Sequence, residues 1–227
     1  MVRMPLQNRV LPTGEIVADP GRGLLMGNRG CLHGQGRELG VSRWRSKLWI
    51  CCVLDWRDRR RDPMPPGRWT ALFFLDEATA LAAGHRPCAY CRRADYLEFA
   101  EAWRAAQQLP SPLRAVEMDA RLHGERVDPV RRKRTHFRDI SEVPDGVMIR
   151  HGERFSLLVA GQLRQWSFAG YGRPRPATDV RGLVDVLTPP SIVAAIAAGY
   201  RPLLHPSAVP EDNDARHYRR LGDRRRA

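Results

Sequence analysis

Apolar and polar positions change period several times along the chain, and the sharpest change falls between Trp69 and Cys91. Trp69-Thr70-Ala71-Leu72-Phe73-Phe74 is a β-prone run leading into Asp76-Glu77-Ala78-Thr79-Ala80-Leu81-Ala82-Ala83-Gly84, which has helical composition. Asp76 predicts the N-cap, since its carboxylate can accept from the free N–H groups of the first turn. Glu77 puts negative charge at the positive end of the helix dipole. Gly84 suits the left-handed position that ends a helix, and Pro87 forbids the helix from resuming. Cys88-Ala89-Tyr90-Cys91 follows in a tight turn, a spacing that lets both sulfurs reach one tetrahedral metal.

Other stretches follow the same logic. Residues 1–30 are Gly-, Pro- and Arg-rich and predict loops around short extended pieces, with Leu24-Leu25-Met26 as a strand. Residues 43–54 are β-prone, and neighbours in a strand face opposite ways, so Cys51 and Cys52 cannot both point at one metal. Tyr96, Phe99, Ala100, Trp103 and Ala106 form a helical stripe, predicting a helix over 92–108, and residues 113–125 predict a second, shorter one. Short strands at 147–149, 155–159 and 163–168, split by His151-Gly152-Glu153 and Ala160-Gly161, predict a β-meander. Residues 170–177 read as a Gly/Pro/Arg loop. Thr188-Pro189-Pro190 opens a closing helix over 191–198. Its end, Ala197-Ala198-Gly199-Tyr200-Arg201-Pro202, echoes Ala82-Ala83-Gly84-His85-Arg86-Pro87 without the cysteines.

The fold class expected is α+β, a small zinc-stabilised α/β module followed by a β-meander with a closing helix. The divisions are 1–109, 110–207 and a flexible basic tail, 208–227.

Charge adds a partner. Lys and Arg number 38 against 25 Asp and Glu, a net +13, and Lys47 and Lys133 are the only lysines. Arg binds phosphate bidentately and stacks on bases, so an Arg excess points to nucleic acid. The basic runs 57–61 and 131–138 are interleaved with Trp56, His136 and Phe137, the mix used for phosphate contact and base stacking. Arg29, Arg59, Arg60, Arg86, Arg131, Arg132, Lys133 and Arg134 are the candidate contacts, with DNA expected ahead of RNA. No run approaches the ~18 apolar residues of a membrane span, and no apolar leader is evident, so a cytoplasmic protein with reduced cysteines is expected.

The stretch Phe74 to Cys91 resembles the second half of the Ada-type metal-binding domain, with its aromatic strand, its helix ending Ala-Ala-Gly-aromatic-Arg-Pro, and its Cys-x-x-Cys. Gly27-Asn28-Arg29-Gly30-Cys31-Leu32-His33 is similar to the Gly-Asn turn that opens related domains near nucleases. The likeness covers about residues 24–95. It implies one zinc ion, DNA binding, and a turn at His85 and Arg86 close to phosphate. With strand parity, it implies His33, Cys52, Cys88 and Cys91 as ligands, Cys31 standing in reserve for either of the first two. The Cys-x-x-x-Cys that serves the methyl-accepting repair members is absent here.

The runner-up is a metal-dependent enzyme acting on nucleic acid, through Glu117, Asp119, His123 or His136; the plain alternative for that cluster is a solvated helix paired to Arg121 and Arg126. A third reading is a zinc-stapled scaffold for protein partners. No phosphate loop, dinucleotide fingerprint or nucleophile elbow is present.

Overall fold

The computed structural model describes residues 4–57 and 62–209 and is a mixed α+β fold of two six-stranded sheets and four helices. The first sheet comprises β1 (Gln7–Val10), β2 (Ile16–Ala18), β3 (Leu25–Asn28), β4 (Ile50–Val53), β5 (Leu72–Phe74) and β6 (Arg86–Pro87), in the order β2-β1-β5-β3-β4-β6. Helix α1 (Glu77–Ala82) joins β5 to β6, and α2 (Arg93–Ala106) and α3 (Ala115–Arg126) follow. The second sheet comprises β7 (His136–Asp139), β8 (Met148–His151), β9 (Arg154–Val159), β10 (Gln162–Ser167), β11 (Gly170–Pro176) and β12 (Leu183–Val186), in the order β11-β10-β9-β8-β12-β7; α4 (Pro190–Ala197) closes the chain. No helix among the described residues is long and apolar enough to cross a membrane.

Two expectations change. Within 43–54 only β4 is strand, because Arg45 and Ser46 turn their N–H groups onto the one carbonyl of Arg29, at 2.7 and 3.0 Å, instead of continuing a ladder. The Gly/Pro/Arg stretch expected as a loop is strand β11. It lies at the edge of its sheet, where Pro174 and Pro176 need not donate to a second neighbour. The meander, β8 to β10, is antiparallel and in register through the two predicted turns.

Helix α1 sits where the two halves meet, and its first turn carries the junction. Asp76 caps it, accepting from Thr79 N–H at 2.9 Å, but the carboxylate is fully buried. It also accepts from the Tyr171 hydroxyl at 2.9 Å and from His205 N–H at 3.1 Å, both in the C-terminal half. Glu77 is equally buried and accepts from Tyr200 OH at 2.6 Å, Leu203 N–H at 2.8 Å and the Arg92 guanidinium at 2.8 Å. Burial alone would raise the Glu77 pKa, but the charge and hydrogen bond of Arg92, with the hydrogen bonds from Tyr200 and Leu203, together outweigh it and hold the group below its ordinary value. The two echoing helix ends therefore have a structural meaning. His85 N–H bonds Ala80 O and Tyr200 N–H bonds Ala195 O, the same helix-ending geometry, with Gly84 and Gly199 at φ 90° and 110°. The second end then delivers Tyr200 and Leu203 onto the first turn of α1.

The apolar core runs across the 109/110 division. Leu81, Phe99, Trp103 and Met118 pack in one cluster with Ile149, Val186, Ile192 and Tyr200. A second cluster joins Leu75, Ala78 and Ala82 to Met148, Leu157, Val159 and Trp166, and Trp166 Nε1 donates to Thr79 Oγ1 at 3.0 Å. Residues 210–227, with most of the expected tail, lie outside the described residues.

Candidate metal centre and cationic cleft

Strand β4 and the turn after β6 build the first site. β4 pairs with β6 in parallel, Cys51 opposite Pro87, which brings the Cys-x-x-Cys turn against the end of β4. Alternation along β4 then separates the two adjacent cysteines. Cys51 is fully buried in the core, while Cys52 turns the other way to meet Cys88 and Cys91. The three Sγ atoms lie within 4.8 Å of one another. Thiolates bound at about 2.3 Å to one tetrahedral ion stand about 3.8 Å apart, so the trio can hold a metal ion. Hydrogen bonds from Cys52 and Cys91 hold the Cys88 pKa far down, in the thiolate range, while its bonds to Cys88 and Cys91 push Cys52 up. The thiolate is the ligating form. Tyr90 N–H donates to Cys88 Sγ at 3.4 Å and supports that charge.

His33 is not part of this cluster. Its Nε2–H donates to Pro65 O at 3.1 Å, and its Nδ1 accepts from the Thr70 hydroxyl at 2.6 Å, so neither nitrogen is free for a metal. Cys31 stays with it, its thiol 3.8 Å from His33 O. The Gly-Asn turn thus orders a loop around Thr70, and among the described His, Cys, Asp and Glu residues that precede α1 only Cys52 belongs to the trio.

The runner-up set does not converge. Asp119 is buried and takes both forks of Arg86, at 3.1 and 2.6 Å, and Glu117 caps α3 by bonding Arg114. His123 stacks edge-on against Trp44 at 4.5 Å, and His136 Nε2 donates to Thr188 O at 3.1 Å. Among the described residues the thiol trio is the only group of three or more His, Cys, Asp or Glu side chains close enough to share an ion.

The second site is a cleft of about 820 Å³ between the β1–β2 hairpin, the end of α3 and the segment leading to β7. Arg29, Arg126 and Lys133 form its floor, and Arg43, Arg131, Arg132 and Arg150 line it further out, against only Glu15 and Glu153 among its lining residues. Gly84 makes the floor possible. At φ 90° it needs no side chain, and a Cβ there would come within 2.7 Å of Arg126 Cδ. Arg126 Nη1 donates to Gly84 O at 2.8 Å and its guanidinium lies 4.1 Å from the Trp49 ring centroid. Arg29 lies 4.0 Å from the same centroid and donates Nε–H to His85 Nε2 at 2.9 Å. That fixes the His85 tautomer, leaving Nδ1–H for Ile50 O at 3.0 Å. Burial, then the charge of Arg29, drives the His85 pKa well below its ordinary value, so the ring is neutral.

The floor is electrostatically strained. Burial and the charge of Arg126 lower the Arg29 pKa to about 9. Burial lowers Arg126 to about 9 as well, Arg86 adding to the effect and Asp119 opposing it. Lys133 is half-buried as a residue, but its ammonium is deep. Burial first, then Arg29 and Arg126, lower its pKa to about 7, Asp185 alone opposing. In the unfolded chain Lys133 keeps its proton to about 10.4. Between pH 7 and that value the unfolded state binds the extra proton, so this group makes stability rise with pH. Urea midpoints at pH 7.0 and 8.5 should show that rise, and Lys133→Met should flatten it.

The candidate phosphate contacts divide accordingly. Arg29, Arg131, Arg132 and Lys133 line the cleft. Arg134 is exposed beside it and donates to Gly124 O. Arg86 is 2% exposed and consumed by Asp119, so it is a structural ion pair and not a surface contact. Arg59 and Arg60 lie outside the described residues. Arg126, expected as a solvated surface partner, is fully buried and belongs to the cleft. A signal was available: its spacing of seven from Asp119 places both on one face of α3.

No family model, curated protein or solved structure matches this chain.

Proposed function

We propose that the protein is a zinc-binding, nucleic-acid-binding protein, taking DNA ahead of RNA, in which the thiol trio holds the ion and the cleft holds phosphates. The observation that carries this reading is the cleft itself, with seven basic and two acidic side chains among its described lining residues. A groove so charged raises the local concentration of a polyanion and is neutralised by it. Zinc suits the trio because soft thiolates favour it and a tetrahedral site needs only one ligand more. The resemblance of residues 24–95 to the Ada-type domain, read from the sequence, favours the same assignment. The turn that carries that likeness, Gly84 to Cys91, joins the floor of the cleft to the metal ligands.

The test is a set of single replacements on the rim. Arg131→Ala and Arg132→Ala should each weaken binding uniformly across sequences and reduce the salt slope by about 1. Arg104→Ala, on a helix face away from the cleft and paired to Glu101, should leave both unchanged. Equal binding by all three variants and the parent, read by fluorescence anisotropy, contradicts the placement.

A further inference from the structure

The floor of the cleft holds more positive charge than the described residues pair directly. Arg29 gives Nε–H to His85 and Nη1–H to Gly14 O, but Nη2 is buried without a partner. Arg126 gives Nη1–H to Gly84 O and Nη2–H to Lys47 O, but Nε is buried without one. Among the described residues Lys133 Nζ reaches only Ala82 O. Three acids carry charge that opposes theirs: Asp119 and Asp185 are paired to Arg86 and Arg150, and Glu125, at the end of α3, accepts from the Ser191 N–H and hydroxyl. Buried charge without a counter-charge costs several kcal/mol per ion, so an arrangement of this kind is stable with an anion in it.

We propose that this floor is a binding site for a phosphomonoester, the terminal phosphate of a nucleic-acid strand or of a nucleotide, held between Arg29, Arg126 and Lys133. Its place on a strand rests on the reading of the cleft as a nucleic-acid surface; the pocket does not. A terminal phosphate carries up to two charges and three free oxygens, against one charge and two free oxygens for an internal diester. It can therefore meet donors arriving from three separate segments: the turn after β3, the end of α3 and the approach to β7. It also enters end-on. Arg29 and Arg126 are 2% and 0% exposed, too deep for a strand that must continue in both directions. Gly14, at φ 86°, borders the space, and a Cβ there would stand 3.5 Å from Arg29 Nη2. The hairpin turn thus lies against the guanidinium edge that lacks a partner.

The experiment compares one labelled single-stranded oligonucleotide in three forms, with a 5′-phosphate, a 3′-phosphate or hydroxyls at both ends, and sets adenosine 5′-monophosphate beside adenosine. Binding is measured on the intact wild-type protein by anisotropy and calorimetry. A phosphorylated end should bind about tenfold tighter or more than the hydroxyl form, the value of one added charge-assisted contact pair. Lys133→Gln, checked for native circular dichroism, should collapse that ratio towards one. If all three oligonucleotides bind alike, the terminal-phosphate site is overturned while the nucleic-acid reading stands. If the mononucleotide binds with the same phosphate preference and no oligonucleotide binds, the pocket stands and the nucleic-acid reading falls. Absence of binding in every arm overturns both.

Discussion

Glu77→Ala should lose about 3–5 kcal/mol of stability, the cost of removing one member of a buried ion pair. The carboxylate is fully buried and accepts three hydrogen bonds, from Arg92, Tyr200 and Leu203. Two of those donors come from the C-terminal end of the chain, so the loss falls on the contact between the two halves. Arg92 would remain buried beside Asp95 and Cys51 with its main counter-charge gone. Glu77→Gln should recover part of the loss, since an amide oxygen still accepts but carries no charge. The check is the urea midpoint followed by far-ultraviolet dichroism and by tryptophan fluorescence. Trp166, bonded to Thr79 of the same helix, reports on the junction. A midpoint within about 0.5 kcal/mol of wild type, the range of an ordinary surface replacement, would contradict the role given to this residue.

Cys88→Ser should release the metal ion, and with it a large part of the fold's stability. Structural zinc sites contribute apparent free energies of about 10–16 kcal/mol at pH 7. In a chain of this size each kcal/mol moves Tm by about 2–4 °C, so a fall of more than about 10 °C is expected. The purified protein should carry one ion per chain by elemental analysis, and Cys88→Ser and Cys91→Ser should carry almost none. Cys31→Ser and Cys51→Ser should keep it, because neither thiol belongs to the trio. Metal retained in Cys88→Ser, or lost equally in Cys31→Ser, would contradict the ligand set.

What could be read from the residues, and what could not, follows from the range of the interactions involved. The strand–helix–turn from Leu72 to Cys91 is written in local chemistry, and Asp76, Gly84 and Pro87 stand where capping rules place them. The separation of Cys51 from Cys52 follows from the two-residue period of a strand. The meander is equally local, since its turns sit between alternating runs. His33 could not be excluded as a ligand by such means, because Thr70 and Pro65, which occupy its nitrogens, come from 37 and 32 residues away. Arg29 and Arg126 lie 97 positions apart and meet only over Trp49. Composition marked the chain as basic, but it could not tell that Arg86 is spent on Asp119 while Arg126 is left free on one nitrogen. The strand at Gly170–Pro176 was hidden because its prolines deny it a ladder on one side, which its edge position makes harmless.

The central claim, that the cationic cleft binds nucleic-acid phosphate, is tested most directly by salt. Affinity for a short labelled oligonucleotide, single-stranded and duplex, is measured between about 50 and 200 mM salt, where each neutralised phosphate contributes about 0.7 to 0.9 to the slope. A steep fall is expected, with a slope of about −3 or steeper, from the floor and rim side chains acting together. Binding that is absent at low salt, or that does not change across that range, would contradict it.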